Sequence, residues 1–222
     1  MLIEIYGIRK RYGKKKVLRG VDLVCEGGQC IGILGANGSG KSSLLGILSG
    51  TYLSGGGSFY CDGINLFRDY KRRSYMVGFV PQGTPLVEEL TAKDNLLMWY
   101  TKKDMYRELR DGVLKYLGVG DFLHTPVNKM SGGMKKRLCI GCAMAKRPPI
   151  LLLDEPTAAL DLACKEWIVS YLRTYKASGG VILLATHDVM ELELCDSIYI
   201  LKEGVLEPYL YDGDLHKLVQ SL

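Results

Sequence analysis

The most informative stretch of this 222-residue chain is Gly35-Ala36-Asn37-Gly38-Ser39-Gly40-Lys41-Ser42. It satisfies the pattern G-x-x-x-x-G-K-[ST] and lies between an apolar segment, Cys30–Leu34, and a helical segment, Lys41–Ser49. Three glycines let the backbone close around an anion so that N–H groups face phosphate oxygens, and the following helix presents the positive end of its dipole. The stretch therefore predicts a strand, a phosphate-binding loop and a helix, with Gly35–Ser43 as the nucleotide-binding segment.

The end of this loop and a later acidic pair contain the candidate chemistry. Lys41 is suited to reach the β- and γ-phosphates, and the Ser42 hydroxyl is suited to hold Mg²⁺. The aliphatic run Ile150–Leu153 ends in Asp154-Glu155, and α/β sheets place ligand chemistry at the carboxyl ends of such strands. Asp154 suits the Mg²⁺ shell, and Glu155 suits a general base or water-positioning role. The alternatives are a glycine-rich turn with a chance Lys-Ser and an acidic pair that faces solvent.

Composition and charge indicate a globular, mildly basic chain. Hydrophobic residues make up 47% and charged residues 24%, which excludes wholesale disorder and a fibrous class. The formal charge of +5 falls short of a nucleic-acid binder, so we expect no nucleic-acid partner. The seven cysteines follow no disulfide-like framework, and no segment approaches the roughly 18 apolar residues of a membrane span. We expect a cytoplasmic domain without a secretory signal.

Strands alternate with helices along most of the chain, which predicts an α/β fold with a parallel core sheet. We expect one domain, residues 1–222. Early strands, including Ser58–Cys61 and Val77–Val80 with the hairpin signal Asp62-Gly63 between them, predict a small antiparallel sheet within about residues 1–80. The remainder outside a helical insertion forms the core around the phosphate-binding loop.

The helical insertion is predicted at about residues 83–145. Its first helix begins at Thr91 and its last at Ser131, because each of these residues is a good N-cap. The pattern between them predicts a second helix, which ends at Gly118. The apolar face of this helix consists of Leu109, Val113, Leu114 and Leu117.

Five short motifs follow the phosphate-binding loop in the order found in the ATP-binding-cassette ATPases, a family that the chain resembles over nearly its whole length. They are Val80-Pro81-Gln82 for the Q-loop, Met130-Ser131-Gly132-Gly133-Met134 for the signature, Leu151-Leu152-Leu153-Asp154-Glu155-Pro156-Thr157 for the second nucleotide motif, Ala159-Leu160-Asp161 for the D-loop, and Ala185-Thr186-His187-Asp188 for the switch histidine. Tyr12 stands where the family stacks an aromatic ring on adenine. Each later motif is weak alone, but six motifs in order are highly specific.

The resemblance implies the fold of this family, a P-loop core with an antiparallel β subdomain and a helical insertion, and the hydrolysis of ATP with Mg²⁺. It also implies a dimer of two cassettes, identical or different, in which the partner is contacted by Ser131, Gly132, Gly133 and Asp161. His187 would hold the γ-phosphate and the attacking water, and Gln82 would link Mg²⁺ to the insertion, so both join Glu155 in the catalytic set. From the residues alone, the alternatives are an ordinary N-cap for Ser131, a structural histidine for His187 and a place on a loop surface for Gln82.

The run Ser-Gly-Gly-Met-Lys-Lys-Arg-Leu at 131–138 is similar to a branch with bacterial drug-resistance and bacteriocin-immunity exporters. In that branch the membrane part is a separate polypeptide. This implies a transmembrane permease partner and a place on the inner face of the cell membrane. Met134 replaces the more common Gln and offers no amide hydrogen bonds. The alternatives are a soluble cassette ATPase in translation or DNA repair, and an unrelated P-loop kinase.

Two further patterns favour structural explanations. Cys139 and Cys142 form a C-x-x-C without a second pair at metal spacing, so we expect core cysteines. The basic runs Lys14–Lys16, Lys71–Arg73 and Lys135–Arg137 are expected to form solvated faces and a turn. The alternative is a basic surface that is attracted to anionic lipid.

Overall fold

Ten strands form two sheets in residues 1–221, the part of the chain that the computed structural model describes. The strands are β1 (Leu2–Tyr12), β2 (Lys15–Glu26), β3 (Cys30–Leu34), β4 (Gly56–Cys61), β5 (Ile64–Asn65), β6 (Val77–Val80), β7 (Ile150–Asp154), β8 (Val181–Ala185), β9 (Ser197–Lys202) and β10 (Val205–Tyr209). One sheet is antiparallel, in the order β2-β1-β4-β5. The core sheet has the order β10-β9-β3-β8-β7-β6 and is parallel except for the edge pair β10–β9. The predicted α/β class is confirmed.

The helices surround the core sheet and fill the segment between β6 and β7. Within the described range they are α1 (Lys41–Ser49), α2 (Tyr70–Met76), α3 (Ala92–Leu97), α4 (Lys102–Asp111), α5 (Val113–Tyr116), α6 (Gly132–Ala143), α7 (Leu162–Ala177), α8 (Val189–Leu192) and α9 (Leu215–Ser221). Short 3-10 turns lie at Val119–Phe122 and Val127–Lys129. The longest helix, α7, has 16 residues, and in residues 1–221 none combines the length and apolar character of a membrane span.

The core sheet is buried on both faces, as its strand β7 demonstrates. Residues 150–154 are all buried. Leu151 and Leu153 pack in one hydrophobic cluster with the helical insertion, whereas Ile150 and Leu152 pack in a second cluster with the antiparallel sheet and α1. Successive side chains of a strand point to opposite faces, so a strand covered on both faces needs an unbroken apolar run. This explains the aliphatic runs in the sequence.

Side-chain caps begin two helices of the insertion where the sequence predicts them. The backbone N–H of Asp94 donates to the Thr91 hydroxyl at 3.2 Å, and the backbone N–H of Thr91 donates to the Asp94 carboxylate at 3.3 Å. This reciprocal pair is a capping box. At the other end of the insertion, the Ser131 hydroxyl accepts from the backbone N–H of Met134 at 3.2 Å. Both predicted helix starts are confirmed.

The predicted middle helix is interrupted, and this prediction was wrong. The chain forms α4 and α5 as separate helices because Gly112 has an extended backbone, with φ −120° and ψ −156°. The Glu108 carboxylate lies where a side chain of residue 112 would be, and it accepts from the backbone N–H of Val113 at 3.0 Å. A carboxylate that caps the first turn of α5 therefore replaces a continuous helix.

The segment Val77–Val80 does not belong to the antiparallel sheet, so its predicted pairing was also wrong. As β6 it runs parallel to β7, with Val77 opposite Ile150. The hairpin signal Asp62-Gly63 joins β4 to the two-residue strand β5 instead. Helix α2, whose N-cap Asp69 accepts from the backbone N–H of Arg72 at 2.8 Å, then connects to the core sheet. A four-residue strand fits either sheet, and the crossover helix determines its direction.

Leu152→Ala should lower the free energy of unfolding by about 2–5 kcal/mol, because the side chain is fully buried and its loss leaves a cavity. Leu53→Ala removes the same atoms from a side chain that is 85% exposed, so its change should stay within about 0.5 kcal/mol. Chemical denaturation of the full chain measures both. Equal losses would contradict the two-sided burial of β7.

Candidate functional site

The phosphate-binding loop connects β3 to α1, as predicted. Lys41 is 6% exposed, and its ammonium donates to the backbone carbonyls of Gly35 at 2.5 Å and Ala36 at 3.4 Å. Burial lowers the pKa of Lys41, and the negative charges of Glu155 and Asp154 oppose that shift. In the described part of the chain, no carboxylate pairs directly with this ammonium. Its nearest partners are neutral carbonyls, so the loop retains a positive charge for an anion.

Two glycines of the loop, Gly35 and Gly40, bring the backbone closer to its neighbours than a residue with a side chain could. Gly35 has φ +149°, and a Cβ there would lie 2.6 Å from the carbonyl oxygen of Leu201. Gly40 has φ +116°, and a Cβ there would lie 2.8 Å from a methyl group of Val17. The buried Ser39 hydroxyl has no hydrogen-bond partner among residues 1–221. An unpartnered donor beside backbone N–H groups fits the phosphates of ATP. The tip of the loop, Ala36, Asn37 and Gly38, is exposed.

Two carboxylates lie at the carboxyl end of β7: Asp154 is its last residue and Glu155 follows it. Asp154 is 3% exposed, and burial raises its pKa, while the Ser42 hydroxyl and the charge of Lys41 oppose that rise. Glu155 has φ +48°, and its backbone N–H donates to the carbonyl of Ala185 at 2.8 Å. A positive φ is unusual for a residue other than glycine and turns the chain sharply at the end of the strand.

The donor set at this edge fits Mg²⁺ held together with nucleotide phosphates. Ser42, Gln82 and Asp154 line one groove. Among the described residues, no cluster of three or more His, Cys, Asp or Glu side chains forms a protein-only metal cage. Mg²⁺ usually keeps several waters and binds one or two carboxylates plus substrate phosphates. A hydroxyl, an amide and one carboxylate are therefore a suitable protein contribution.

The predicted catalytic side chains meet around Glu155. The amide nitrogen of Gln82 donates to the Glu155 carboxylate at 2.9 Å. His187 follows β8, and burial together with the charge of Lys41 lowers its pKa, against the opposing charge of Glu155. The structure thus brings Gln82, Glu155 and His187 to the edge where Lys41 lies.

Tyr12 lies at the end of β1, beside the phosphate-binding loop. Its side chain is 48% exposed, and its hydroxyl is 3.4 Å from the hydroxyl of Ser43 on α1. The ammonium of Lys10 lies 5.0 Å from the centre of the ring. An exposed aromatic face next to the loop is available for stacking on a base.

The predicted partner contacts form a separate group, in which Ser131, Gly132 and Asp161 are exposed and Gly133 is buried. Ser131 is the N-cap of α6, and Asp161 is the N-cap of α7, where it accepts from the backbone N–H of Cys164 at 2.9 Å. A Cβ on Gly132 would lie 3.5 Å from the side chain of Leu160. Gly132 follows Ser131 and Leu160 precedes Asp161, so the two N-caps belong to neighbouring segments. Within residues 1–221, no hydrogen bond or ion pair connects Ser131 or Asp161 to the phosphate-binding loop. We call Ser131–Gly133 and Asp161 the signature group.

Comparisons with known proteins identify the family. A family model described as ABC transporter matches residues 18–158. The chain belongs to the ABC transporter family. The linearmycin resistance ATP-binding protein LnrL of Bacillus subtilis (strain 168) is 30% identical over 209 residues, which cover 91% of this cassette and 67% of that protein. A Nod factor export ATP-binding protein I of Ralstonia nicotianae is 33% identical over 223 residues, covering 98% and 68%.

Solved structures agree with this family. A dimeric, post-hydrolysis state of an ATP-binding cassette bound to ADP and Pi has a TM-score of 0.82 and 28% identity, and the match covers 96% of this chain and 100% of that one. The two-sheet architecture with a helical insertion is thus that of an ABC ATPase cassette, and the implied family and fold are confirmed. The cassette is an ATP-binding ATPase domain.

Lys136 is a residue of the cassette that the sequence did not single out. The run Lys135–Arg137 was expected to be a solvated face, and this was wrong for two of its members. Lys136 is 4% exposed, and its ammonium donates to the backbone carbonyls of Pro81 and Gln82. The guanidinium of Arg137 lies 5.0 Å and 4.6 Å from the rings of Phe122 and Trp167. The spacing from Gly133 to Lys136 and Ile140, all on the buried face of α6, is the signal available in the sequence.

The C-x-x-C of the cassette is structural, as expected. Cys139 and Cys142 are 6% and 7% exposed in the hydrophobic cluster under α6. Burial raises the pKa of the Cys139 thiol to about 11 and that of the Cys142 thiol to about 12. Thiols with such high pKa values are poor nucleophiles and poor metal ligands at neutral pH.

Gly133→Ala should destabilise the signature group of the cassette, since the new Cβ would lie 2.3 Å from the sulfur of Cys164. We expect a loss of about 1–3 kcal/mol in the free energy of unfolding, the usual cost of overpacking. Gly132→Ala is the matched control, because its Cβ meets only an ordinary contact at 3.5 Å. Thermal and chemical unfolding of both variants test this. If Gly133→Ala is as stable as Gly132→Ala, the packing of α6 on α7 differs from the structure.

Proposed function

We propose that this cassette is the ATPase subunit of an exporter and drives a separate membrane subunit through ATP-dependent closure of a cassette dimer. The observation that supports dimer closure is the separation of the site residues into a nucleotide edge and a signature group whose Ser131, Gly132 and Asp161 are exposed. The edge has residues that suit one side of a nucleotide. The signature group has hydrogen-bonding groups but does not include the phosphate-binding loop. Two copies can complete each other. The names of the two relatives above, resistance and export, support transport outward.

Each side chain of the nucleotide edge has a proposed role. The ring of Tyr12 stacks on adenine, the backbone of Gly35–Ser43 wraps the phosphates, and Lys41 neutralises the β- and γ-phosphates. Ser42, Gln82 and Asp154, which line one groove, would hold Mg²⁺. When bound, Mg²⁺ offsets the negative charge of the β- and γ-phosphate oxygens.

The hydrolysis step depends on groups around Glu155. Its carboxylate accepts a proton from the attacking water or orients that water, and the amide of Gln82, 2.9 Å away, fixes its position. His187 donates to the γ-phosphate or to the water. Its lowered pKa keeps the imidazole neutral at pH 7, with one N–H donor and one acceptor. The edge thus supplies a base in Glu155, a hydrogen-bond donor in His187 and the positive charge of Lys41.

The signature group would contact the γ-phosphate bound by the partner cassette. Ser131 offers a hydroxyl, and the first residues of α6 offer free N–H groups and the positive end of the helix dipole. The carboxylate of Asp161 is exposed at the start of α7, next to the same surface. Closure would therefore be favoured by ATP and lost after the γ-phosphate leaves.

The membrane subunit has a suitable docking surface in the groove next to Gln82. This groove of about 680 Å³ lies between the core and the insertion and is the one that Ser42 and Asp154 also line; Phe79, Leu86 and Trp99 are among its other lining residues. Trp99 is 61% exposed, which leaves a large aromatic side chain available to a partner. Docking there would place the cassette on the cytoplasmic face of the cell membrane and would let the membrane subunit respond to nucleotide state through Gln82.

Glu155→Gln should bind ATP as the wild type does, because within residues 1–221 no hydrogen bond or ion pair joins the Glu155 side chain to the phosphate-binding loop. It should lower turnover by about 10²–10⁴-fold, the usual contribution of a general base. It should also accumulate as a closed dimer with ATP, detected by size-exclusion chromatography with light scattering. Lys41→Ala is the companion variant, expected to lose ATP affinity itself. A monomeric Glu155→Gln at saturating ATP would contradict dimer closure.

Copurification from detergent-solubilised membranes separates the exporter from a soluble cassette ATPase. The tagged chain, expressed in its own host, should bring down a polytopic membrane protein in stoichiometric amount. Recovery of ribosomal or DNA-repair proteins with no membrane protein would leave the ATPase intact and contradict the transport proposal.

A further inference from the structure

Lys136 has an unusual environment for a lysine. It lies on α6, and its side chain reaches across to the chain that follows β6, where the ammonium donates to the carbonyls of Pro81 at 3.1 Å and Gln82 at 3.0 Å. Within residues 1–221 it forms no ion pair. A buried charge is costly unless hydrogen bonds and nearby opposite charges offset the loss of water. This lysine therefore stabilises one specific arrangement of the two segments it joins.

The segment that Lys136 holds has little other regular structure. Residues 81–90 form neither helix nor strand in the described chain. The far end of this loop is held by Asn95, which is 2% exposed and exchanges hydrogen bonds with the backbone of Val87 at 2.9 Å and 3.1 Å. At the near end, the ammonium of Lys136 donates to the backbone carbonyls of Pro81 and Gln82. The backbone position of Gln82 thus depends on the Lys136 ammonium.

The same lysine connects two parts of the proposed mechanism. Gln82, held through its carbonyl, donates from its side chain to Glu155 at 2.9 Å. Helix α6, which contains Lys136, begins at Ser131 of the signature group. A continuous path of hydrogen bonds and one rigid helix therefore leads from the signature group to the Glu155 carboxylate.

We infer that Lys136 is a positioning residue for ATP hydrolysis: it holds the backbone at Gln82 so that the amide of Gln82 orients Glu155, and it couples this contact to the orientation of α6. The inference rests on the proposed roles of Gln82 and Glu155. Within residues 1–221, no hydrogen bond or ion pair joins Lys136 to the phosphate-binding loop. Its loss should therefore slow turnover and leave ATP affinity unchanged.

The variant Lys136→Met tests this, because it keeps most of the length and the apolar stem but removes the donors and the charge. Steady-state phosphate release by the full chain should fall at least about tenfold, comparable to other losses of a positioning group. Equilibrium ATP binding should stay within about threefold of wild type, because the loop is untouched. Lys136→Arg, which keeps the charge and several donors, should recover most of the turnover.

The control is Lys135→Met on the same helix. Lys135 contacts the far end of the same loop through Glu88 at 3.3 Å, and it is more exposed than Lys136, so its loss should leave turnover within about twofold of wild type. A purely structural role for Lys136 would lower stability, ATP affinity and turnover together, with no recovery in Lys136→Arg. That result, or normal turnover in Lys136→Met, would overturn the inference.

A double-mutant cycle with Gln82→Ala shows whether Lys136 acts through Gln82. If it does, Lys136→Met should cause little further loss of turnover in the Gln82→Ala background, whereas additive losses would overturn the inference. If the methionine variant does not fold, Lys136→Gln takes its place in the cycle, because it keeps donors but is shorter and neutral. Glu155→Gln in the same assay tests the role of Glu155 separately. Normal turnover in that variant would contradict the proposed function and not the contact made by Lys136.

Discussion

Four parallel strands, β3, β8, β7 and β6, end at one edge of a sheet that is buried on both faces, and the phosphate-binding and catalytic residues of the nucleotide site depend on this constraint. The phosphate-binding loop follows β3, His187 follows β8, Glu155 follows β7 and Gln82 follows β6. Parallel strands in register deliver their carboxyl ends to the same place. Burial on both faces holds those ends rigid, because neither face can shift without opening a hydrophobic cluster.

The charges at this edge are arranged for a ligand. Burial lowers the pKa of Lys41 and raises that of Asp154, so each charge is held at some cost in the protein alone. Their mutual attraction offsets part of the cost, and the phosphates and cation of a bound nucleotide would offset more. Such an edge favours binding of a polyanion with its cation over either one alone. The unpartnered Ser39 hydroxyl and the carbonyl-bound Lys41 ammonium agree with this.

The helical insertion links this edge to an exposed surface. Helix α6 begins at the signature group and contains Lys136 one and a half turns later, and it packs over the core sheet through Leu138 and Ile140. Because an α-helix is stiff over such a length, a movement of its N-terminus also moves Lys136. The carbonyls of Pro81 and Gln82 would follow. The fold therefore contains a mechanical connection between the surface where a partner cassette would bind and the carboxylate that would activate water.

Local features of the chain were predictable from its residues. The loop between β3 and α1, the caps at Thr91 and Ser131 and the buried strand before Asp154 were all foreseen, because each depends on neighbours in sequence: glycine conformations, side-chain caps and unbroken apolar runs. The order of the motifs identified the family, because that order can also be read directly along the chain.

The pairing of β6, the break at Gly112 and the burial of Lys136 depended on contacts between segments distant in sequence. A basic run has the same composition on a surface or beneath a loop. The packing of α6 against the chain after β6 decides that Lys136 is buried, because it places the ammonium beside the carbonyls of Pro81 and Gln82.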